Sequence, residues 1–144
     1  AREWRIEFDQ PARLLSMNDR THWRKLAPMV KRWRGAAMLA ALIHAGVDDD
    51  RARLFTHQWL TSKIPVPDGW VVPLPACTVR ILLPVATRAA RDPHNYFKTV
   101  KPIVDGLVDA RLWPNDTPDW VTTVEPHLVV KAPKVVITLT ERTS

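Results

Sequence analysis

The order of apolar patterns along the chain limits the folds that are open to it. The alternating run VRILLPVA, at 79–86, is typical of a strand with one buried face, whereas between 99 and 111 the apolar residues recur at helical spacing. Further strand-like runs occupy 4–9, 121–130 and 135–141. Strands and helices in this order predict an α+β fold, with one small domain built on a mixed β-sheet.

A second helix is predicted near 23–45, because AAMLAALIHA is rich in good helix formers and Gly46 follows it. Residues 46–78 begin with the acidic DDDRAR and continue with the proline-rich IPVPDGWVVPLPA. Proline is poorly tolerated inside helices, so we expect an irregular insertion, an edge segment or a partner-contacting arm, with DDD as a solvated turn. The expected domain therefore spans 1–144 and has two main helices packed on its sheet.

The charge of the chain favours a polyanionic partner. Its 144 residues include 21 Lys and Arg against 15 Asp and Glu, which gives a net charge of +6. The bases cluster between 20 and 34, namely Arg20, Arg24, Lys25, Lys31, Arg32 and Arg34. Trp23 and Trp33 lie among them; core packing is their expected role, and base stacking is the alternative.

Cysteine content and hydropathy exclude two other classes of protein. The single cysteine, Cys77, permits neither an internal disulfide nor a cysteine-based zinc cluster, and it is expected to be buried. No apolar run approaches the roughly 20 residues needed to cross a bilayer, and the chain does not start with a signal-peptide pattern. We therefore expect no membrane contact and a cytoplasmic location.

The stretch from 91 to 119 gathers acids, a histidine and lysines beside apolar segments. Asp92 follows the run at 79–86, and Asp116 follows the apolar IVDGLVDARLW, so both are expected where a buried element meets solvent. Mg²⁺ and Mn²⁺ prefer oxygen ligands and usually take only one or two carboxylates, with water or phosphate completing the shell. The two acids suit such a site if the fold brings them together, and they are ordinary turn residues if it does not.

Three motifs in this stretch occur in a fixed order: RDPHN at 91–95, KPIVDGL at 101–107 and WPND at 113–116. Together they resemble the signature of the RusA family of Holliday junction resolvases, which has Arg-Asp-x-Asp-Asn, a helix with Lys and Asp-Ala/Gly-Leu, and Trp-x-Asp-Asp. SMNDRTHW at 16–23 is similar to the family's N-terminal loop, and VVKAPKVVITLTE at 129–141 resembles its closing strands. The insertion at 46–78 has no counterpart.

The resemblance implies a RusA-like nuclease domain and a definite activity. We expect a Mg²⁺-dependent endodeoxyribonuclease, with Mn²⁺ as a possible substitute, that resolves DNA four-way junctions by paired phosphodiester hydrolysis during recombination or repair. A homodimer is also implied, because two matched nicks suit a two-fold assembly. When bound to DNA, the protein would be associated with the nucleoid.

The motifs assign site residues by resemblance. Catalytic roles fall to Asp92, Asp116, Lys101 and His94. Metal ligation falls to Asp92, Asp116, His94 and Asp119. DNA contacts fall to Asn18, Arg20, Arg24, Arg88, Arg91, Asn95 and Lys98.

Two positions depart from the family pattern. His94 stands where the family has its second Asp, and Asn115 where it has the first of the paired late acids. A neutral imidazole suits Mn²⁺ or softer ions better than Mg²⁺, so the metal preference is open. Asp119 or Glu125 could supply the missing carboxylate.

Two lysines compete for the catalytic position. If the spacing of the family pattern is measured forward from Asn95, the catalytic lysine is Lys98. If it is measured back from Asp105, the catalytic lysine is Lys101. Pro102 is comfortable only in a first helical turn, and an N-cap at 99 would place it there with Lys101 beside it. We therefore favour Lys101, which can pair with Asp105 across one turn.

Two other functions fit the same residues. A DNA-binding protein with a degenerate site would explain the charge and the altered acids without catalysis. Another metal-dependent nuclease, such as an HNH-like enzyme, would use His94 as general base. Replacing His94 should abolish the activity of the latter, and in a carboxylate-centred resolvase it should change mainly the metal preference.

Overall fold

The fold was analysed in a computed structural model, which describes residues 1–87 and 91–143. In these residues the chain forms five strands, three α-helices and one short 3₁₀ helix. They follow in the order β1 (Glu3–Phe8), α1 (Trp23–His44), α2 (Asp49–Ser62), β2 (Cys77–Val85), the 3₁₀ helix (Pro93–Tyr96), α3 (Phe97–Asp109), β3 (Val121–Thr123), β4 (His127–Val130) and β5 (Val135–Glu141). The predicted α+β class, with a mixed sheet, is confirmed.

The sheet is organised around β2. On one side β2 pairs antiparallel with β5, which in turn pairs antiparallel with β1. On its other side the first residues of β2 pair parallel with β3, and its later residues pair parallel with β4. Parallel neighbours need a crossover connection, and α3 carries the chain back from the end of β2 to a strand beside its start.

The core lies on one face of the sheet, beneath the helices. Alternate residues of β2, from Cys77 to Val85, are buried, as the sequence pattern predicts. Trp33 is fully buried, and its indole N–H donates to the Arg13 carbonyl oxygen at 3.0 Å, so its expected core role is confirmed. Trp23, by contrast, is 66 % exposed, so the core role predicted for it is wrong.

Helices α1 and α3 cross at very close range. A Cβ atom added at Gly106 in α3 would overlap the backbone carbonyl oxygen of Arg34 and would lie 3.0 Å from the Met38 nitrogen in α1. A glycine at this position therefore lets the two backbones approach each other directly. Beside the crossing, the Arg34 guanidinium binds both carboxylate oxygens of Asp109, at 2.5 and 2.9 Å.

The prediction of an irregular insertion at 46–78 is wrong in its first half, where α2 forms. Asp48 is the N-cap of this helix, and its carboxylate accepts a hydrogen bond from the Arg51 N–H at 2.9 Å. Asp49 and Asp50 occupy the first turn, where acidic groups favour the helix dipole. The acidic run therefore starts a third α-helix instead of forming a solvated turn. The proline-rich part after Lys63 contains no helix or strand up to Cys77, as predicted.

Two other element boundaries differ from the prediction. The strand expected over 121–130 is divided into β3 and β4, with Pro126 in the gap. The helix expected over 99–111 begins at Phe97, after the 3₁₀ helix, so Pro102 lies inside it. Thr99 is therefore not an N-cap. Its side chain is fully buried and serves a different purpose.

Thr99 attaches the N-terminal loop to α3. Its hydroxyl donates to the Leu15 carbonyl oxygen and accepts from the Leu15 N–H, both at 2.8 Å. One buried side chain thus satisfies both backbone groups of a residue 84 positions away. The loop before α1 is consequently fixed against the start of α3.

Replacing Thr99 with valine should destabilise the protein. The variant Thr99→Val keeps the shape of the side chain but leaves the buried Leu15 N–H and C=O without a partner, which costs about 1 to 3 kcal/mol. Urea denaturation followed by circular dichroism would measure the loss. Thr99→Ser keeps the hydroxyl and should lose clearly less; equal losses in the two variants would mean that the hydrogen bonds contribute little.

Over residues 1–87 and 91–143, the helices lack the combination of length and apolar character that crossing a bilayer requires.

Candidate functional site

The start of α3 and the N-terminal loop lie side by side. The Met17 N–H donates to the Asn95 carbonyl oxygen at 2.7 Å, next to the bonds between Leu15 and Thr99. Asn18 and Arg20, which belong to the loop, are exposed close to this junction, and Lys98 is exposed on α3. Four of the predicted DNA-contacting residues, from segments distant in sequence, are thereby brought to one region: Asn18, Arg20, Asn95 and Lys98.

An ion pair stiffens the same loop. Arg13 binds the Asp19 carboxylate at 2.5 Å, and that carboxylate also accepts the Thr21 N–H at 2.9 Å. The hydrogen bonds from Thr21 and Arg13 hold the pKa of Asp19 far below its ordinary value. Asp19 is therefore ionised at neutral pH, and the loop presents Asn18 and Arg20 from a fixed backbone.

The remaining predicted DNA contacts have separate positions. Arg24 lies in the first turn of α1 and places its guanidinium 5.5 Å from the centre of the exposed Trp23 ring. Arg91 donates to the Thr87 carbonyl oxygen at 2.8 Å, just before the 3₁₀ helix. Arg88 lies outside the described residues.

Lys101 joins two carboxylates from different parts of the chain. Its ammonium group lies 2.9 Å from an Asp105 oxygen, one turn along α3, and it donates a hydrogen bond to Asp116 in the loop after α3. The pairing with Asp105 was predicted from the sequence and is confirmed. The hydrogen bond raises the pKa of Lys101 and lowers the pKa of Asp116, so both groups are charged at neutral pH.

A small cavity opens beside this cluster. Its volume is about 260 Å³, and Lys101 and Asp116 form its polar side. Phe97, Val100 and Val104 contribute apolar lining from α3, and Thr123 lines the cavity from β3. The ion pair therefore lies at the edge of a partly apolar hollow, and both of its groups remain accessible to solvent.

Asp92 and His94 form a second group, in the 3₁₀ helix. The Asp92 carboxylate accepts the backbone N–H of His94 at 3.0 Å and thereby caps the helix. The His94 ring packs edge-on against Phe97, with the ring centres 5.2 Å apart. Both residues are exposed. Asp92 thus has the local turn role that the sequence offered as the alternative to metal binding, and it uses one carboxylate oxygen for it.

Asp119 is placed far from Asp92. Its carbonyl oxygen accepts from Arg142 at 2.7 Å, and the next residue, Trp120, accepts the Cys77 N–H at the start of β2. Asp92 follows the other end of β2, and a strand of nine residues spans about 26 Å. The structure therefore does not bring Asp119 to Asp92, because the loop after α3 places Asp119 near the start of β2, whereas Asp92 follows its end.

The four predicted metal ligands do not converge. Within the part of the chain that the structure describes, no group of three or more His, Cys, Asp or Glu side chains is arranged to hold a metal ion. Glu125, the other candidate, lies beside a different cavity with Arg5, Arg80 and His127. Divalent cations are often bound by only one or two carboxylates and otherwise by water, so binding of such an ion does not require a protein cage.

The sequence prediction missed two residues that organise this region. The sequence predicts a helix cap at Thr99, and it predicts no role for Arg13. The only signal for Arg13 is its position in a loop six residues before an acid, and that pattern is too common to be diagnostic.

Comparisons with protein families, with curated proteins and with solved structures gave no match. The resemblance to the RusA family therefore rests on the motifs of the chain itself.

Proposed function

We propose that this protein is a metal-dependent endonuclease that cuts branched DNA, with four-way junctions as its main substrate. The observation that carries the proposal is the meeting of separate motifs at α3. The hydrogen bond between Met17 and Asn95 joins SMNDRTHW to RDPHN, and the pair of Lys101 and Asp116 joins KPIVDGL to WPND. Motifs that share one site should be neighbours in space. Phe97 supports this for the two pairs, because its ring packs against His94 and it also lines the cavity beside Lys101 and Asp116.

Binding in this proposal uses the cations around the loop and α3. Arg20, Arg24 and Lys98 are exposed there, and Asn18 and Asn95 add side-chain amides. Arginine, lysine and asparagine are common partners of DNA phosphates, and such contacts position a duplex without reading its sequence. Affinity should therefore fall steeply as salt concentration rises.

Lys101 would contact the scissile phosphate. An ammonium group has three N–H donors, and the two carboxylates engage two of them, which leaves one for a phosphate oxygen. Asp105 and Asp116 hold the amine in position and keep it protonated. In this arrangement Lys101 stabilises negative charge that develops on the phosphoryl group or the leaving oxygen.

Asp92 and Asp116 would hold a Mg²⁺ or Mn²⁺ ion. When bound, such an ion supplies charge neutralisation and acidifies a water molecule. Asp92 has a second oxygen beyond its capping bond, and the exposed position of both residues leaves room for water ligands. We place the activity in cytoplasmic DNA recombination or repair, and we propose a homodimer, since paired nicks require two sites.

The test is cleavage of a synthetic four-way junction, with a linear duplex of matched sequence, in Mg²⁺, Mn²⁺ or EDTA. We expect paired symmetric nicks in the junction alone that need a metal, and about 100-fold slower cleavage by Asp92→Asn and by Asp116→Asn. Asp119→Asn is the matched control and should cleave like the parent, because Asp119 lies near the start of β2. Parental rates in both acid variants, with normal folding, would disprove the site.

A second candidate function is junction binding without catalysis. It is favoured by the lack of a preassembled metal cage in the described residues and by the engagement of Asp116 with Lys101. The same experiment separates the two functions. Tight junction binding without product under every metal condition would identify a binding protein whose site has lost its chemistry.

A further inference from the structure

An apolar groove lies between the first half of α1 and the end of α2, and at Trp23 it adjoins the predicted DNA contact Arg24. Its volume is about 460 Å³. Trp23, Leu26, Ala27 and Val30 line it from α1, and Leu60 lines it from α2. Trp23 is 66 % exposed and Val30 37 %, so the apolar lining reaches the surface.

The groove is shaped by a close contact between its two helices. A Cβ atom at Gly35 would lie 2.8 Å from a methyl carbon of Leu60, so α1 and α2 are nearly in contact at its inner end. Away from this contact, Val30, Ala27 and Trp23 on α1 are exposed. The result is a slot between the two helices whose volume can hold an apolar side chain.

Its polar rim carries only cations. Lys31, Arg34 and Lys63 line the groove, and none of the lining residues is acidic. Arg34 is neutralised by Asp109, whereas the Lys63 ammonium lies 5.3 Å from the centre of the Trp59 ring and forms no ion pair with an acid in residues 1–87 and 91–143. Lys31 is exposed on α1. Two ammonium groups thus flank an apolar floor.

We propose that this groove binds an acidic peptide segment of another protein, with a bulky apolar side chain in the slot and carboxylates on Lys31 and Lys63. Amphipathic peptides bind in this way, using apolar anchors in a groove and charges at its edge. The proposal is independent of DNA cleavage and adds a protein partner to the molecule.

The other occupants fit less well. A second copy of this chain would bring the same basic half-helix to the groove, with Arg24, Lys25 and Arg32 exposed on it, and like charges would repel. DNA would find the two lysines, and an unpaired base could stack on Trp23. Its backbone, however, is bound by cations, amides and hydroxyls, so the aliphatic floor of Leu26, Val30 and Leu60 would remain uncovered.

Fluorescence anisotropy with a synthetic peptide tests the proposal. The probe is a fluorescein-labelled peptide in which Phe and Leu are flanked by aspartates, and the control peptide has asparagine in place of every aspartate. We expect the protein to bind the acidic probe at least about tenfold more tightly than the control. We expect a further loss of about tenfold or more in Val30→Glu and in the double variant Lys31→Glu with Lys63→Glu.

The controls decide between the possible occupants. Arg53→Glu reverses one charge on an exposed position of α2 outside the groove and should bind the probe like the parent, whereas Lys63→Glu alone, which makes the same change of charge inside the groove, should bind it more weakly. Trp23→Ser replaces Val30→Glu if the latter does not fold, since Trp23 is the more exposed residue. Equal binding of both peptides, or equal loss in Arg53→Glu, would overturn the proposal. So would a dimer that Val30→Glu dissociates in sedimentation velocity, or displacement of the probe by duplex DNA.

Discussion

Changing Gly106→Ala is expected to lower the free energy of unfolding by about 3 kcal/mol. The new methyl group would overlap the Arg34 carbonyl oxygen and would lie 2.9 Å from the Ala37 Cβ. Backbone cannot move aside as a flexible side chain can, so α1 and α3 must separate and their packing must loosen. Alanine favours helix over glycine by about 1 kcal/mol, and this gain is too small to offset the clash.

Gly35→Ala is the matched control for this prediction. It makes the same substitution inside α1, but the nearest atom is the end of the Leu60 side chain, which can rotate away. We expect a change within about 1 kcal/mol of the parent, helped by the better helix propensity of alanine. Urea denaturation of both variants measures the difference. Equal stability of the two would mean that the crossing of α1 and α3 adapts readily.

Replacing Lys101 with alanine is expected to slow junction cleavage by about 100-fold or more and to leave junction binding nearly unchanged. The prediction rests on the proposed function. The lysine side chain is 62 % exposed, so the fold should tolerate its loss. Two carboxylates hold the ammonium group of this lysine in position. Its positive charge stabilises the transition state at the phosphate more than it stabilises the bound substrate, so its removal should slow cleavage without weakening binding.

Lys98→Ala provides the control, because this lysine is exposed on the same helix three residues earlier. It should weaken binding slightly, as one of several cations near the DNA, and leave the cleavage rate of bound junctions unchanged. Single-turnover cleavage and gel-shift binding measure the two effects separately. A comparable loss of cleavage in Lys98→Ala would show that the catalytic lysine was assigned to the wrong position.

The sequence predicted the strands and α1 well, because their signals are local. Alternation along β2 and the composition of residues 36–45 identify each element without its neighbours. Helix α2 was missed because the prolines after Lys63 dominated the interpretation of the whole insertion. Its start signal was present in Asp48, with two further acids in the first turn.

Long-range partners could not be predicted in the same way. The sequence proposed Lys101 and Asp116 for one site, but only the fold shows that they form a pair. Spacing along the loop after α3 gave no hint that Asp119 lies at the other end of β2 from Asp92. The role of Thr99 was likewise predicted from the residues next to it in the sequence, whereas the residue it binds, Leu15, is 84 positions away.

The bonds from Leu15 and Met17 to the start of α3 also affect the entropy of binding. Ordering a flexible loop on a ligand costs about 1 to 2 kcal/mol for each residue whose backbone becomes fixed. In this protein the loop is already ordered before a ligand binds, because the backbone bonds of Leu15 and Met17 and the ion pair of Arg13 and Asp19 hold it. A polyanion would meet Asn18 and Arg20 on a preorganised surface, so more of the energy of each contact remains as affinity.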